Sequence, residues 1–346
     1  MIKIAVFDSK PYTVPAFMEE GKTHGVEYRF FDTRLSPDTA SLAAGFDGVC
    51  AFVNDDLGQE VLEKLYALGI RLVALRCAGF NNVDLKYAYG KIHVLRVPAY
   101  SPAAVAEHAM ALLLTSVRRI HKAYNRTREY NFSLNGLVGF NLKGKTVGVI
   151  GAGKIGRAFI EICRGFGMRV LFYDAFVEEV AGATRVSLDE LFKESDVISL
   201  HCPLTEETYH LIGKDSFSKM KKGVIIVNTS RGALVDAEAL ISAIKEKQVG
   251  AALLDVYEEE SDLFFEDVSG HILQDDVLSR LLSMPNVIVT SHQAFLTEEA
   301  LLEIAKTTTE NVVAFFDRQP LVNEVCYRCD NQKVKDCRKE RKGKCF

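Results

Sequence analysis

The chain of 346 residues is long enough for two medium domains, and its 48% hydrophobic and 25% charged content is that of a globular protein. Residues 326–346 hold eight Lys/Arg against three Asp/Glu, so the net charge of −4 leaves −9 on the first 325 residues, which excludes a broad basic footprint for nucleic acid. No apolar run reaches bilayer length, Asp8 comes too early for a secretory leader, and Cys50, Cys77, Cys163 and Cys202 are scattered rather than grouped as in a secreted disulfide scaffold. A cytoplasmic protein with no membrane partner is expected.

In chain order, short β-branched or apolar runs at 2–7, 48–53, 71–75 and 93–97 read as strands, with an amphipathic helical stretch at 60–68. Ser101-Pro102 supplies an N-cap and a first-turn proline for a long helix running to about Ile120. A polar, aromatic-spotted stretch at 121–142 shows no strand pattern and marks a boundary between two α/β units. Strands resume at 146–150, 169–173, 196–200, 224–228, 251–255 and 286–290, with helical patterns at 157–167 and 237–247. A last helix, 297–316, precedes Pro320. This alternation predicts parallel sheets covered by helices on both faces.

The run 146–150 leads directly into Gly151-Ala152-Gly153-Lys154-Ile155-Gly156, with a helical pattern behind it. The first glycine permits the tight turn, the second admits the pyrophosphate to the backbone, and the third lets helix and strand pack closely. The pyrophosphate then faces the helix N-terminus. The next strand ends in Asp174, whose carboxylate suits the ribose hydroxyls and repels a 2′-phosphate, so the expected cofactor is NAD.

Three further strand ends carry polar residues: Asn228-Thr229-Ser230-Arg231, Asp255 followed by Glu258-Glu259-Glu260, and His292. Open α/β sheets bind their ligands at such ends. An arginine can hold a substrate carboxylate bidentately, and a histidine can give a proton to a carbonyl as hydride arrives. A neighbouring acid would orient the imidazole and keep it protonated. Spacing alone does not bring the three together in space.

The chain resembles the D-isomer-specific 2-hydroxyacid dehydrogenases over residues 1–325, most of all the bacterial fermentative D-lactate dehydrogenases. The resemblance rests on Arg76 to Asp84, Val97 to Pro102, Ala106-Glu107-His108, Gly151 to Gly156, His201 to Thr205, Asn228 to Gly232, Asp255 to Glu260 and His292 to Phe295. It implies two doubly wound parallel-sheet domains, Rossmann-like and flavodoxin-like, with the active site in the cleft between them. Residues 1–100 with 297–325 would form the substrate domain, 101–296 the NAD-binding domain, and 326–346 a basic cysteine-containing tail. Arg231 would bind the substrate carboxylate, His292 would be the acid/base, and Glu260 its partner. Asn228, Thr229, Ser230 and Asp255 would lie near the nicotinamide, and Lys154, Ile155, Cys202, Pro203 and Thr208 along the rest of the NAD groove. The backbone of Ala78 and Gly79 would seat the carboxylate, Tyr100 would sit at the cleft, and Phe52 and Phe295 would bound the substrate side chain. The resemblance further implies pyruvate and D-lactate as the substrate pair and a homodimer, or a dimer of dimers, built with the helix from Ser101. Another 2-keto acid, giving 2-hydroxyisocaproate or phenyllactate, and an NADH-sensing corepressor-like role are the alternatives. Glu260 departs from the formate dehydrogenases, which carry glutamine there.

The resemblance does not reach the tail. Cys326-x2-Cys329 matches half of a zinc or iron–sulfur site, but Cys337 and Cys345 form no second tight pair and no histidine joins them, so no metal is expected and the segment reads as a flexible basic extension that adds little to the core; a metal site and redox-sensing thiols are the alternatives.

Overall fold

The β-branched runs pair into two sheets in the computed structural model, which describes residues 1–259, 264–265, 267–328 and 343–346. The chain divides into Met1–Ser101 with Thr297–Phe346, and Pro102–Leu296.

The first unit holds β1 (Ile2–Val6), α1 (Val14–His24), β2 (Val26–Phe30), β3 (Gly48–Ala51), α2 (Gln59–Ala67), β4 (Leu72–Leu75), α3 (Leu85–Ala88) and β5 (His93–Leu95). The returning chain adds α11 (Glu298–Phe316) and β13 (Glu324–Val325). The sheet order is β13-β5-β4-β3-β1-β2, parallel except for β13, which runs antiparallel to β5. Strand order reverses between β1 and β3, which places a ligand crevice beyond the carboxyl ends of those strands. All four residues of β3 and of β4 are buried, as central parallel strands require. β2 alternates buried Val26 and Tyr28 with exposed Glu27 and Arg29, and as an edge strand it lacks the apolar run that marks its neighbours.

The second unit begins with α4 (Pro102–Arg118) and α5 (Ile120–Arg128), followed by β6 (Thr146–Ile150), α6 (Lys154–Gly165), β7 (Arg169–Tyr173), β8 (Thr184–Arg185), α7 (Leu188–Glu194) and β9 (Val197–Leu200). It continues with α8 (Lys214–Lys219), β10 (Val224–Asn228), α9 (Ala237–Lys245), β11 (Val249–Leu254), α10 (Asp276–Ser283) and β12 (Val287–Val289). The sheet is wholly parallel, in the order β12-β11-β10-β9-β6-β7-β8. One face packs against α4 and α6 through Leu113, Phe159 and Cys163, and the other against α7 to α10 through Phe192, Phe217, Leu240 and Leu281.

The long helix ends at Arg118, close to the expected Ile120: Arg119 takes a left-handed φ of 55°, and the chain restarts as α5. That helix buries no residue, and Tyr130, Phe132, Leu134 and Val138 beyond it are strongly exposed. One expectation is corrected: the C-terminal end does not stand apart from the core. Cys345 is buried, its N–H donates to Glu324 Oε2, and the Phe346 ring stacks on His93 with centroids 4.1 Å apart. Cys329 and Cys337 lie outside the described residues. Among the described residues no helix is long and apolar enough to cross a membrane, and no three metal-ligating side chains converge.

Candidate active site

Strand order in the second unit reverses between β6 and β9, and the glycine turn lies at that switch point. Gly151 has a φ of 95°, and a Cβ there would stand 2.5 Å from the His201 carbonyl oxygen. A Cβ on Gly156 would stand 2.0 Å from the Gly151 oxygen, so the helix and strand could not close together. Gly153 faces open space and caps α6 with no side-chain hydrogen bond, so the amides opening at Lys154 and Ile155 remain for an anionic group. These features fit a pyrophosphate.

Asp174 follows β7. Its Oδ2 accepts the Ala152 N–H at 2.7 Å, and Oδ1 accepts those of Phe176 and Val177 at 2.8 and 2.9 Å. Burial pushes its pKa up, but these three N–H groups and Arg185 outweigh it, so the carboxyl is held below its usual range as an anion beside the glycine turn. On the opposite wall, Thr208 Oγ1 donates to the Pro203 carbonyl at 2.7 Å and accepts the Thr205 N–H, also at 2.7 Å, which shapes the loop following Cys202.

After β10, Asn228 builds a tight turn: its Nδ2 donates to the Arg231 carbonyl at 2.8 Å and its Oδ1 accepts the Ser230 N–H at 3.0 Å. Ser230 Oγ donates to the Leu200 carbonyl at 2.9 Å, tying the turn to β9. Asn228 and Ser230 therefore form the mount on which Thr229 and Arg231 are carried. Thr229 Oγ1 is buried without a hydrogen-bond partner, which suits a polar ligand group. Arg231 is half-buried, and one of its guanidinium nitrogens donates to the Ser230 carbonyl at 2.7 Å.

Asp255, fully buried after β11, holds the loop that carries His292. Its Oδ1 accepts Thr290 Oγ1 at 2.5 Å and the Gln293 N–H at 2.9 Å, and its Oδ2 accepts the Ala294 N–H at 2.8 Å. The His292 N–H donates to the Asp255 carbonyl at 2.7 Å. His108 Nε2 of α4 lies 3.3 Å from Asp255 Oδ1 and 3.2 Å from Thr290 Oγ1. Burial raises the Asp255 pKa, yet His108, Thr290 and the Ala294 N–H outweigh it and keep the group ionised. The loop puts His292 in the left-handed region at φ 53°, with its ring 5.8 Å from that of Phe265. Phe295, in the same loop, is buried. Glu260 lies outside the described residues; its neighbour Glu258 pairs with His210 at 2.6 Å.

The structure thus joins the turn at 228–231 to β9, and the His292 loop to Asp255. The residues missed from sequence are His108, Thr290, Phe265 and His210. Ala106-Glu107-His108 gave a signal for the first, but a helical histidine with no partner in sequence carries no role by itself.

In the first unit, Phe52, Ala78, Gly79 and Tyr100 follow β3, β4 and β5. The Ala78 carbonyl accepts Arg96 Nη1 at 2.7 Å and that of Gly79 accepts Cys77 Sγ at 3.3 Å, fixing the segment. Phe52 is buried, with the Arg76 guanidinium 4.6 Å from its ring centroid.

A parallel sheet with a dinucleotide cradle at its switch point, and with arginine and histidine following β10 and β12, defines an NAD-dependent oxidoreductase of the α/β class. Residues 110–294 match the family model described as D-isomer specific 2-hydroxyacid dehydrogenase, NAD binding domain. The chain is 55% identical over 315 residues to a 2-hydroxyacid dehydrogenase homolog of Haemophilus influenzae, covering 90% of this chain and 95% of that one. It is 53% identical over 315 residues to the D-lactate dehydrogenase of Escherichia coli, covering 90% of this chain and 96% of that one. The solved apo-structure of D-lactate dehydrogenase from Escherichia coli superposes with a TM-score of 0.87 at 49% identity, covering 94% of this chain and 100% of that chain. The chain belongs to the D-isomer-specific 2-hydroxyacid dehydrogenase family.

Proposed function

We propose that the enzyme reduces pyruvate to D-lactate with NADH, and runs the reverse reaction with NAD. The observation that carries this reading is the near full-length similarity to a D-lactate dehydrogenase, and the site residues agree with it. Arg231, on its rigid turn, binds the substrate carboxylate and polarises the adjacent carbonyl. NADH supplies the hydride when bound. His292 gives its proton to the carbonyl oxygen in reduction and takes it back in oxidation. Glu260, one residue beyond the described part of its loop, steadies the imidazolium. The Ala78–Gly79 backbone and Tyr100 seat the substrate, and Phe52 and Phe295 wall its methyl group.

Gly151 to Gly156, Cys202, Pro203, Thr208, Thr229 and Asp255 line or support the NAD site in this reading. The anionic Asp174 favours NAD over NADP, because a 2′-phosphate would meet a fixed negative charge. The exposed Tyr130, Phe132, Leu134 and Val138 support a homo-oligomer formed around the segment after α4, since contiguous exposed apolar residues mark interaction surfaces. The thiols of Cys50 and Cys163, both free and buried, suit the cytoplasm.

The test is steady-state kinetics with NADH and NADPH against pyruvate and larger 2-keto acids, with chiral analysis of the product. Pyruvate should give the highest kcat/KM and D-lactate as product. Asp174→Ala should narrow the NADH preference by about tenfold or more, in line with loss of one charge repulsion of about 1.4 kcal/mol. Equal wild-type efficiency with both cofactors would remove the role of Asp174.

A further inference from the structure

Phe52 is held more tightly than a core aromatic needs. Its N–H donates to Asp55 Oδ2 at 2.6 Å, while Asp55 Oδ1 accepts the Leu35 N–H at 2.6 Å. Its carbonyl accepts Asn82 Nδ2 at 3.0 Å, and the same amide donates to the Asp55 carbonyl at 2.8 Å. The Arg76 guanidinium lies over the ring at 4.6 Å, and is itself anchored on the Phe7 and Asp8 carbonyls at 2.9 and 2.5 Å. Both backbone polar groups of Phe52 are therefore tied, and its ring has a cation over it. Asp55 and Arg76 are 1% and 3% exposed, so both charges have left water to make this arrangement.

We propose that Asp55, Asn82 and Arg76 are positioning residues that lock Phe52 in place and thereby set which 2-keto acid side chains the enzyme accepts. This rests on the proposed reading of Phe52 as a wall of the substrate site. The clamp also links the two substrate-facing parts of the first unit, because Asn82 lies in the same loop between β4 and α3 that carries Ala78 and Gly79. A fixed ring discriminates by size, since it cannot swing away from a longer side chain; a ring freed to change rotamer would admit one.

A carboxylate at 55 has a specific reason. Two backbone N–H groups converge on it, one on each oxygen, and only a carboxylate accepts on both. An amide would turn its NH2 toward one of those donors, leaving a buried donor facing another. Burial raises the Asp55 pKa to about 6, against the pull of Arg76 and the two N–H groups. The charge is thus kept at a cost, at the corner that orients Phe52.

The experiment compares kcat/KM for pyruvate, 2-ketobutyrate and phenylpyruvate, at saturating NADH, in wild type, Asp55→Asn, Arg76→Lys, Asn82→Ala and Phe52→Ala, and in Asp55→Asn combined with Phe52→Ala. A clamp predicts that each single clamp variant lowers the pyruvate-to-phenylpyruvate ratio by about tenfold, and that Asp55→Asn adds nothing once Phe52 is Ala. A merely structural role would lower all three substrates in parallel and leave the ratio alone; that outcome, with Phe52→Ala still lowering the ratio, overturns the clamp while keeping the wall. If Phe52→Ala itself leaves the ratio unchanged, the wall reading fails and the clamp with it. Asn82→Ala removes only side-chain donors from a partly exposed position, so it keeps the test open should Arg76→Lys not fold.

Discussion

His292 takes a left-handed backbone conformation that costs a residue with a Cβ roughly 1–2 kcal/mol, and it is held there by its own N–H on Asp255 and by the N–H groups of the two residues after it. Such strain is kept where the surroundings over-determine it, and here it aims one imidazole from a loop fixed to the end of β11. His292→Ala is expected to lower kcat by roughly two to four orders of magnitude, with NADH affinity retained, because only the proton transfer is lost. Arg231→Lys is expected mainly to raise the KM for pyruvate, since an ammonium cannot reproduce the guanidinium fork. Fluorescence titration of NADH beside steady-state kinetics separates the two, and weakened NADH binding in His292→Ala would move that residue out of the proposed role. At this scale the sequence was legible where a residue's role is set by the backbone alone: Gly151 and Gly156 declare themselves by position in the turn. It was silent on what holds Asp255, whose carboxylate accepts from Thr290, Gln293 and Ala294, partners 35 to 39 residues further on.

The elements show the same division. Central strands such as β3, β9 and β10 are buried throughout, so their apolar runs stand out; three of the four edge strands, β2, β8 and β13, are short or half-exposed and carry no such run, and only β12 does. β13 pairs with β5 across more than two hundred residues, a contact no local pattern reveals. Where β9 ends against the glycine turn, His201 presents a different problem. The residue is partly exposed, but ring Nδ1 is sealed without a partner, Nε2 lies 2.8 Å from Ser199 Oγ, and Phe159 packs 4.9 Å from the ring. Burial drives its pKa down to about 3. In the unfolded chain the same ring titrates near 6.5, so between those values the unfolded state binds the extra proton. Stability contributed by this neutral ring is complete above pH ~6.5 and is lost as pH falls toward 3, by up to ~1.4 kcal/mol per pH unit. Urea unfolding at pH 7 and pH 5 should therefore show a smaller loss in His201→Gln than in wild type. Equal losses would mean that the ring is not held neutral.

For the whole molecule, the alternation of strands and helices was enough to reveal two α/β units, but not that the last residues of the chain belong to the first of them. A basic, cysteine-bearing segment of low hydrophobicity offers no periodic pattern, and the contacts of its end depend on a site assembled elsewhere. Glu324, 1% exposed on β13, pairs through Oε1 with His93 Nδ1 at 2.6 Å and through Oε2 with the Cys345 N–H. The Tyr89 hydroxyl donates to the Cys345 carbonyl at 3.4 Å, and the Tyr89 ring meets those of Phe346 and Tyr327 edge-on at 5.5 and 5.1 Å. Removing Gly343 to Phe346 would take the Cys345 N–H from the buried Glu324 carboxylate and the Phe346 ring from that of His93. An aromatic contact of this kind contributes ~0.5–1.5 kcal/mol and a donor lost from a buried carboxylate costs ~1–3 kcal/mol, so the expected destabilisation is about 1.5–4.5 kcal/mol. For a unit of this size that is a fall in Tm of roughly 3–18 °C. Arg231 and His292 belong to the second unit, so turnover with saturating pyruvate below the melting range should stay near wild type. Scanning calorimetry of the chain ending at Lys342, paired with kcat at 25 °C, checks both halves. An unchanged Tm would show that the terminal contacts contribute nothing to stability, and a lost kcat would tie the chain's end to the site.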